Sequence, residues 1–220
     1  VAGLQTKGKS YLARPDNIAK FTRGRFRPEE KSSAEVRSIS GPPDPEPGRI
    51  DARTNWNRSK RTGLLLSEDD LSHNFLGLPA IGFQGLAALN SSRGRSPIGV
   101  SDRVASFVGG ALGDALGRAQ WNTGQPTDNI LQTSSVYSLV GWAQRANIEQ
   151  IVTPYAPVGP AQDALSLLEH KLIPLKIDII RVLRSSDAVA WPKAAHGFFQ
   201  FKRALPTLIK HRYRDMEAAS

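Results

Sequence analysis

The chain of 220 residues contains no cysteine. This absence excludes disulfide bonds, thiolate zinc sites, iron–sulfur clusters and catalysis by a thiol. It is compatible with every cellular compartment, so it does not by itself point to a location.

Long apolar runs are also missing. No stretch reaches the roughly 18 apolar residues that a membrane-spanning helix needs, so the sequence predicts no transmembrane segment. The chain starts at Val1 rather than Met, which indicates a processed or partial chain. Its early Arg, Lys and Ser residues suit the vicinity of an organellar targeting peptide, although seven acidic residues in 1–61 argue against most of that segment being one. We expect a mitochondrial location, with the cytoplasm as the alternative.

Several signatures of chemistry are absent. The segment Thr153–Pro160 contains neither of the phosphate-binding glycine patterns GxGxxG and GxxxxGK[ST], and the serine-nucleophile pattern GxSxG does not occur in the chain. The four histidines form no HxH, HExxH or HxxxH pattern, so we predict no metal site. They are His73, His170, His196 and His211.

The positive charge is concentrated near the start of the chain. Residues 1–61 hold 14 Lys and Arg against 7 Asp and Glu, whereas residues 62–220 hold 15 against 13. Such a basic segment attracts nucleic acid, anionic lipid or an acidic protein surface, or is simply solvated.

Residues 1–61 are predicted to form an extended, basic, Pro-rich arm. They show no sustained apolar period, and Gly41–Gly48 has four prolines in eight residues. The run FTRGRFRP offers Arg23, Arg25, Phe26 and Arg27 as candidate contacts with a partner or nucleic acid, with a solvated linker as the alternative. Trp56 is the candidate anchor where the arm meets the next segment.

Residues 62–210 are predicted to form an α/β domain with a small open parallel sheet and flanking helices, followed by a tail at 211–220. Short apolar runs predict buried strands, and apolar residues at helical spacing predict helices between them. Strands separated by helices imply parallel pairing. The predicted strands are Arg61–Ser67, Ile148–Thr153 and Ile177–Leu183, and the predicted helices are Ile81–Leu89, Val104–Ala119, Thr133–Ala146, Pro160–Leu172 and Ala195–Ile209.

Details of three helices follow from single residues. Ser101 or Asp102 is predicted to cap the helix Val104–Ala119, and the glycines of that helix at 109, 113 and 117 predict close packing on a neighbour. Thr133 is predicted to cap the helix Thr133–Ala146. Pro206 should kink the helix Ala195–Ile209 or end its regular part.

Polar groups follow the first strand. Glu68, Asp69 and Asp70 lie at its carboxyl end, where ligands bind in open α/β sheets. A catalytic or metal role would need a partner such as His73, and we favour a structural loop. The segment Thr153–Pro160 leads into a helix N-terminus, but its prolines remove anion-binding N–H donors.

Three stretches together resemble the α/β domain of DNA photolyases and cryptochromes. They are LLLSEDDLSHN with the following LAAL in Gly63–Leu89, TPYAPVGPAQDALSLLEHKL in Ile148–Leu172, and WPKAAHGFFQFKRALPTL in Ile177–Leu208. The resemblance implies a Rossmann-type domain that in relatives can hold a light-harvesting antenna cofactor.

The chain departs from the family pattern in three places. The family's second and third strands should lie near RGRSPIGVS and WNTGQPTDNI, which are poor strand sequences, so we expect a sheet reduced to three good strands. The family binds flavin and damaged DNA through a helical domain that follows, and no residue here corresponds to that domain.

The leading functional prediction is a non-catalytic, photolyase-like accessory subunit of a larger, multisubunit assembly. It would have no cofactor and would bind protein subunits through its arm. The same basic arm is a candidate for binding nucleic acid or an anionic surface. One alternative is a domain or photolyase fragment that binds a flavin or folate-type antenna chromophore. The other is a nucleic-acid-binding subunit, for example of a ribosome.

Overall fold

The computed structural model describes residues 15–27, 50, 56–73, 82–124, 126–194 and 197–217. The chain divides into two compact units, Val1–Arg49 and Ile50–Ser220, and each is treated by itself. The Pro-rich segment 41–48 lies outside the described residues. In the part of the chain that is described, no helix is long and apolar enough to cross a membrane.

The first unit contains a short helix, α1, over Pro15–Phe21. Pro15 starts it because proline fits the first helical position, where no N–H donor is required. Thr22 ends it by donating its hydroxyl to the carbonyl of Ile18 at 2.6 Å, and Arg23 and Gly24 then turn the chain with φ of 54° and 76°. The expectation of an extended arm is therefore wrong for Pro15–Phe21.

The second unit is an α/β fold with an open sheet of five parallel strands in the order β3-β2-β1-β4-β5. The central strands are buried along their whole length, which is why they read as continuous apolar runs rather than as alternating patterns. This strand order is Rossmann-like. The strands are β1 Thr62–Ser67, β2 Gly85–Leu89, β3 Ile130–Thr133, β4 Gln150–Pro154 and β5 Asp178–Val182.

Helices cover both faces of the sheet. On one face α2, Asp102–Thr123, packs its buried side chains against β1 and β2. On the other face α3, Val136–Arg145, and α4, Pro160–Leu172, form one apolar cluster with β1, β4 and β5. The predicted parallel α/β architecture is thus confirmed.

The expected reduction to three strands is wrong. Residues 81–89 were predicted as a helix, but Gly85–Leu89 forms β2, with all five residues buried. A short apolar run fits a buried helix or a buried strand equally well, and pairing with β1 decides the matter here. The other missed strand, β3, pairs with β2 at the sheet edge and is only half-buried.

Two details of the helices also differ from expectation. Thr133 is the last residue of β3, and Ser135 caps α3 by accepting a hydrogen bond from the N–H of Ser138 at 3.3 Å. Ser101, as expected, caps α2 through the N–H of Val104 at 3.4 Å. The helix α2 extends four residues beyond the predicted end, to Thr123.

The glycines of α2 do not pack closely. A methyl group added at Gly109 or Gly113 would touch only the side chain of Gln132, at 3.8 and 3.5 Å, and one at Gly117 would meet nothing within 4 Å. The expectation of tight packing is wrong because Leu112, Ala115, Leu116 and Ala119 form the buried face of the helix. This stripe lies beside the buried face instead of on it.

The chain ends in a helical layer after β5. Helix α5 covers Ser185–Ala190, a 3-10 turn covers Trp191–Lys193, and α6 runs over Phe198–Glu217. The last helix continues past Pro206 and into the segment predicted as a tail, so Pro206 does not end it. Nothing is buried among its described side chains, those of residues 198–210.

Candidate functional site

The topology opens a crevice at the carboxyl edge of the sheet. From β1 the chain crosses to β2 on one side, whereas from β4 it crosses to β5 on the other. The loops that follow Ser67 and Pro154 therefore diverge between two adjacent strands. Ligands of open α/β sheets bind at such a switch point.

A cleft of about 380 Å³ lies next to this switch point. The loops after three strands line it, each with polar or aromatic groups. These lining residues are Asp69 and Asp70 after β1, Tyr155 and Pro157 after β4, and Arg184 after β5.

The other side of the cleft comes from the helical layer after β5. Asp187 and Ala190 of α5, Trp191 and Ala194, and Phe201 of α6 line it. Residues from distant parts of the chain thus meet only because β1, β4 and β5 end at the same edge.

Two aromatic rings form a corner in the cleft. The rings of Tyr155 and Trp191 meet edge-to-face, with centroids 5.4 Å apart and an interplanar angle of 85°. The N–H of Tyr155 donates to the carbonyl of Val182 at 2.8 Å, which holds the residue beside the end of β5. Trp191 remains 37% exposed, so its ring is available to a ligand.

Glu68 serves the loops rather than the cleft. Its carboxylate accepts hydrogen bonds from the N–H of Ser91, at 3.0 and 3.1 Å, and from the Ser91 hydroxyl, at 2.7 Å. The side chain is only 5% exposed. Glu68 therefore ties the loop after β1 to the loop after β2, as expected of a structural residue.

The two aspartates are paired with arginines. Asp69 accepts from Arg95 at 2.6 Å, and Asp70 binds the guanidinium of Arg184 through both oxygens, at 2.7 and 2.5 Å. Asp70 also accepts from the N–H of Ser72 at 3.1 Å. All three carboxylates of this cluster are thus engaged in fixing loops.

Arg184 joins β1 to the helical layer. Besides Asp70, it approaches Asp187 at 3.5 Å. The hydrogen bond with Asp70 raises the pKa of Arg184, and the negative charges of Asp70 and Asp187 act in the same direction, while burial opposes them. The guanidinium is therefore held cationic and in a fixed orientation.

His73 does not join the carboxylates. Its Nε2 lies 2.7 Å from the amide nitrogen of Asn122 on α2, and its buried Nδ1 has no partner among the described residues. Burial lowers the pKa of His73, and the positive charge of Arg118 lowers it further. Within the described ranges, no three His, Asp or Glu side chains are grouped to hold a metal ion.

The loop after β2 packs on the first residue of α4. A methyl group added at Gly94 would lie 2.9 Å from Cβ of Pro160. Pro160 has no N–H to donate. That Thr153–Pro160 is no phosphate loop stays a prediction.

The candidate partner-binding residues separate into two places. Arg23, Arg25, Phe26 and Arg27 lie in the first unit, where Phe26 is 58% exposed and the Arg25 guanidinium sits 5.6 Å from the centre of its ring. Trp56 belongs to the second unit and is partly buried against the core beneath α2. The next residue, Asn57, exchanges hydrogen bonds with the buried side chain of Gln150.

The residues of the cleft that lie beyond β5 escaped the sequence analysis. They stand in segments without a site pattern and include Arg184, Asp187, Trp191 and Phe201. Tyr155 carried a detectable signal, an aromatic residue directly after a predicted strand. Trp191, which forms the aromatic corner with Tyr155, comes from the helical layer after β5, and the position of that layer depends on the tertiary fold.

A second cleft, of about 410 Å³, lies at the amino edge of the sheet. Helix ends and polar side chains line it, including Arg61, Gln144, Asn147, Glu149 and Lys176. Arg61 is already engaged there, with Nε 2.6 Å from the carbonyl of Asn147 and an ion pair to Glu149.

Comparisons with protein-family models, with curated proteins and with solved structures find no match to this chain. The resemblance to the photolyase/cryptochrome family therefore stays a prediction that rests on the sequence stretches themselves.

Proposed function

We propose that this protein is a non-catalytic binding module whose carboxyl-edge cleft holds a small planar molecule. The observation that carries the proposal is the right-angled corner of Tyr155 and Trp191 inside a cleft of about 380 Å³. Ligand pockets of proteins have volumes of about 300–1,000 Å³ and are lined mainly by apolar and aromatic groups with a few polar ones. A flat ring stacks readily on an aromatic wall of this kind.

The polar groups support binding rather than catalysis. A general base must be within hydrogen-bond reach of the proton that it removes. Glu68 is instead occupied by Ser91, and Asp70 by Arg184. Both carboxylates stabilise the loops that form the walls of the cleft.

The sequence resemblance supports a particular kind of ligand. Photolyase-like domains of this type can hold an antenna chromophore, and a flavin ring or a folate-type ring is planar and fits the proposal. The cleft is built by loops after β1, β4 and β5 and by the layer of α5 and α6, which are the stretches that carry most of that resemblance.

An absorbance spectrum of the purified chain tests the proposal. We expect a band at longer wavelength than aromatic side chains absorb, or its appearance after incubation with riboflavin. Trp191→Ala should abolish the band, whereas Trp121→Ala, which removes an 88% exposed ring on α2, should preserve it. A wild-type protein that stays colourless and does not take up riboflavin would contradict the proposal.

The exposed face of α6 favours a second function, that of an accessory subunit. Phe198, Phe199 and Ile209 are 68%, 74% and 51% exposed. Lys202, Arg203 and Lys210 lie on the same exposed part of the helix. Clustered apolar side chains with a charged rim mark protein interaction sites.

This second function is tested by native purification from mitochondria. An accessory subunit should copurify with the other subunits of its assembly in fixed stoichiometry. Exchanging Phe198 and Phe199 for Ser should release it without unfolding the sheet, because neither side chain is buried. A monomer that remains alone at native concentration would argue against this role.

A further inference from the structure

We propose that the ligand of the carboxyl-edge cleft presents a positive charge to it, and that rings with a phosphate directed into the cleft are rejected. The inference rests on the proposed binding function and adds the charge of the ligand. The cleft combines a weakly paired carboxylate, that of Asp187, with an aromatic corner and with prolines that remove N–H donors after β4.

The charges in the wall favour a cation. Three carboxylates, those of Asp69, Asp70 and Asp187, line the cleft together with one guanidinium, that of Arg184. Asp69 is paired with Arg95, which is not part of the lining, at 2.6 Å. Arg184 is neutralised by Asp70 through two close contacts. Asp187 makes the more distant contact with Arg184, at 3.5 Å, and its side chain is 43% exposed. A negative charge therefore remains at the helical side of the cleft.

The aromatic corner favours the same sign of charge. The faces of Trp and Tyr rings are electron-rich and attract cations within about 6 Å of the ring centre. Tyr155 and Trp191 present such groups at right angles to each other. Asp187 lies four residues before Trp191, one helical turn away, so a carboxylate accompanies the rings.

The backbone offers little to an anion. Clefts of this fold bind phosphates through N–H groups of the loop and of the helix N-terminus that follows. Pro154 ends β4, Pro157 lies in the loop that follows and Pro160 begins α4, and none of the three has an N–H. The loop after β2 packs on Pro160 through Gly94.

A planar ring that carries a protonated or quaternary nitrogen satisfies all three observations. The ring stacks in the corner and its positive edge approaches Asp187. A neutral ring meets no penalty, whereas a phosphate in the cleft approaches the carboxylate of Asp187, and the guanidinium in the lining, that of Arg184, is already bound to Asp70. Among flavins, the inference favours forms without phosphate.

The experiment measures dissociation constants of three planar probes with the full 220-residue chain at low salt. Riboflavin and FMN share one ring and differ by a phosphate, and proflavine is a planar cation. We expect riboflavin to bind at least about tenfold more tightly than FMN, and proflavine more tightly than riboflavin.

Two matched substitutions localise the effect. Asp187→Asn should weaken proflavine binding by about tenfold and change riboflavin binding by less than about twofold. Asp178→Asn removes a 52% exposed carboxylate at the amino edge and should change neither. Trp191→Ala should abolish binding of both probes.

The outcomes separate the two proposals. Equal or tighter binding of FMN than of riboflavin would overturn the charge inference and leave the binding function standing. Proflavine binding that is insensitive to both Asp187→Asn and Trp191→Ala would indicate adsorption elsewhere and would also overturn the inference. Failure of every probe to bind would overturn the binding function together with it.

Discussion

The two edges of the sheet carry clefts of nearly equal size but opposite character. The cleft at the carboxyl edge, of about 380 Å³, has aromatic walls, whereas the one at the amino edge, of about 410 Å³, is lined by helix ends and paired polar groups. At the amino edge, Asn147 and Lys176 take left-handed conformations, with φ of 50° and 57°, to end helical segments. Volume alone therefore does not distinguish a binding site from a gap between turns.

The difference follows from the packing beneath each edge. Near the amino edge, Trp142 of α3 fills the space above Gly63 and Gly85, and its Nε1 donates to the carbonyl of Asn129 at 3.1 Å. A side chain at either glycine would overlap the indole. Near the carboxyl edge, rings are left partly exposed and ion pairs hold the loops. The amino edge is therefore closely packed, whereas the carboxyl edge keeps aromatic and charged side chains accessible.

The largest effect on stability is expected from Trp142. Trp142→Ala should lower the free energy of unfolding by about 3–5 kcal/mol, because it leaves a cavity under the amino edge. Trp121→Ala should change it by less than about 0.5 kcal/mol, because that ring is exposed. Urea unfolding of both variants provides the measurement, and similar losses for the two would refute the assigned packing.

Ion pairs at the two edges should differ in strength. Arg184→Met leaves Asp70, only 17% exposed, without its bidentate partner and should cost about 1.5–3 kcal/mol. Lys60→Met breaks the more exposed pair with Asp178 at the amino edge and should cost less than about 1 kcal/mol. The same unfolding measurement compares them, and a larger loss for Lys60→Met would reverse the interpretation.

Helix α2 joins the two edges and offers a pair of opposite substitutions. Gly117→Ala should stabilise the protein by up to about 1 kcal/mol, since the position is exposed and has open space around it. Gly124→Ala should destabilise it by about 1 kcal/mol, because Gly124 ends the helix with φ of 64°. Thermal unfolding of both variants and of the wild type measures the direction of each change. Destabilisation by Gly117→Ala would mean that the glycines of α2 are closely packed.

The smallest effect concerns pH and His73, on the path from the carboxyl edge back to β2. Because burial lowers the pKa of His73 below its ordinary 6.5, the unfolded chain takes up this proton first. Neutral His73 therefore contributes fully to the free energy of unfolding above pH 6.5, and this contribution is lost as the pH falls below 6.5. His73→Gln should reduce the decline in melting temperature over that range.

An NMR titration of the His73 ring sharpens this prediction. Its pKa should lie below 6.5 in the wild type and rise in Arg118→Met, since the positive charge of Arg118 is the second cause of the shift. A pKa at or above 6.5 in the folded wild type would contradict the described surroundings of the ring.

The sequence by itself determined the α/β class and the positions of the strongest elements. The predicted helix Pro160–Leu172 has the observed bounds, and the three predicted strands overlap β1, β4 and β5. Continuous apolar segments and helical periodicity are local properties, so they can be recognised in the sequence without knowledge of the fold. The carboxylates after β1 were likewise correctly placed at the carboxyl edge.

Only the tertiary structure decided the sheet's width and the composition of the cleft. The run GLAAL forms β2 because its backbone pairs with β1 on one side and with β3 on the other. Tyr155 and Trp191 met because the loop after β4 and the layer after β5 leave neighbouring parallel strands at the same edge. Pairing and edge position are relations between distant segments, and no local pattern in the sequence encodes them.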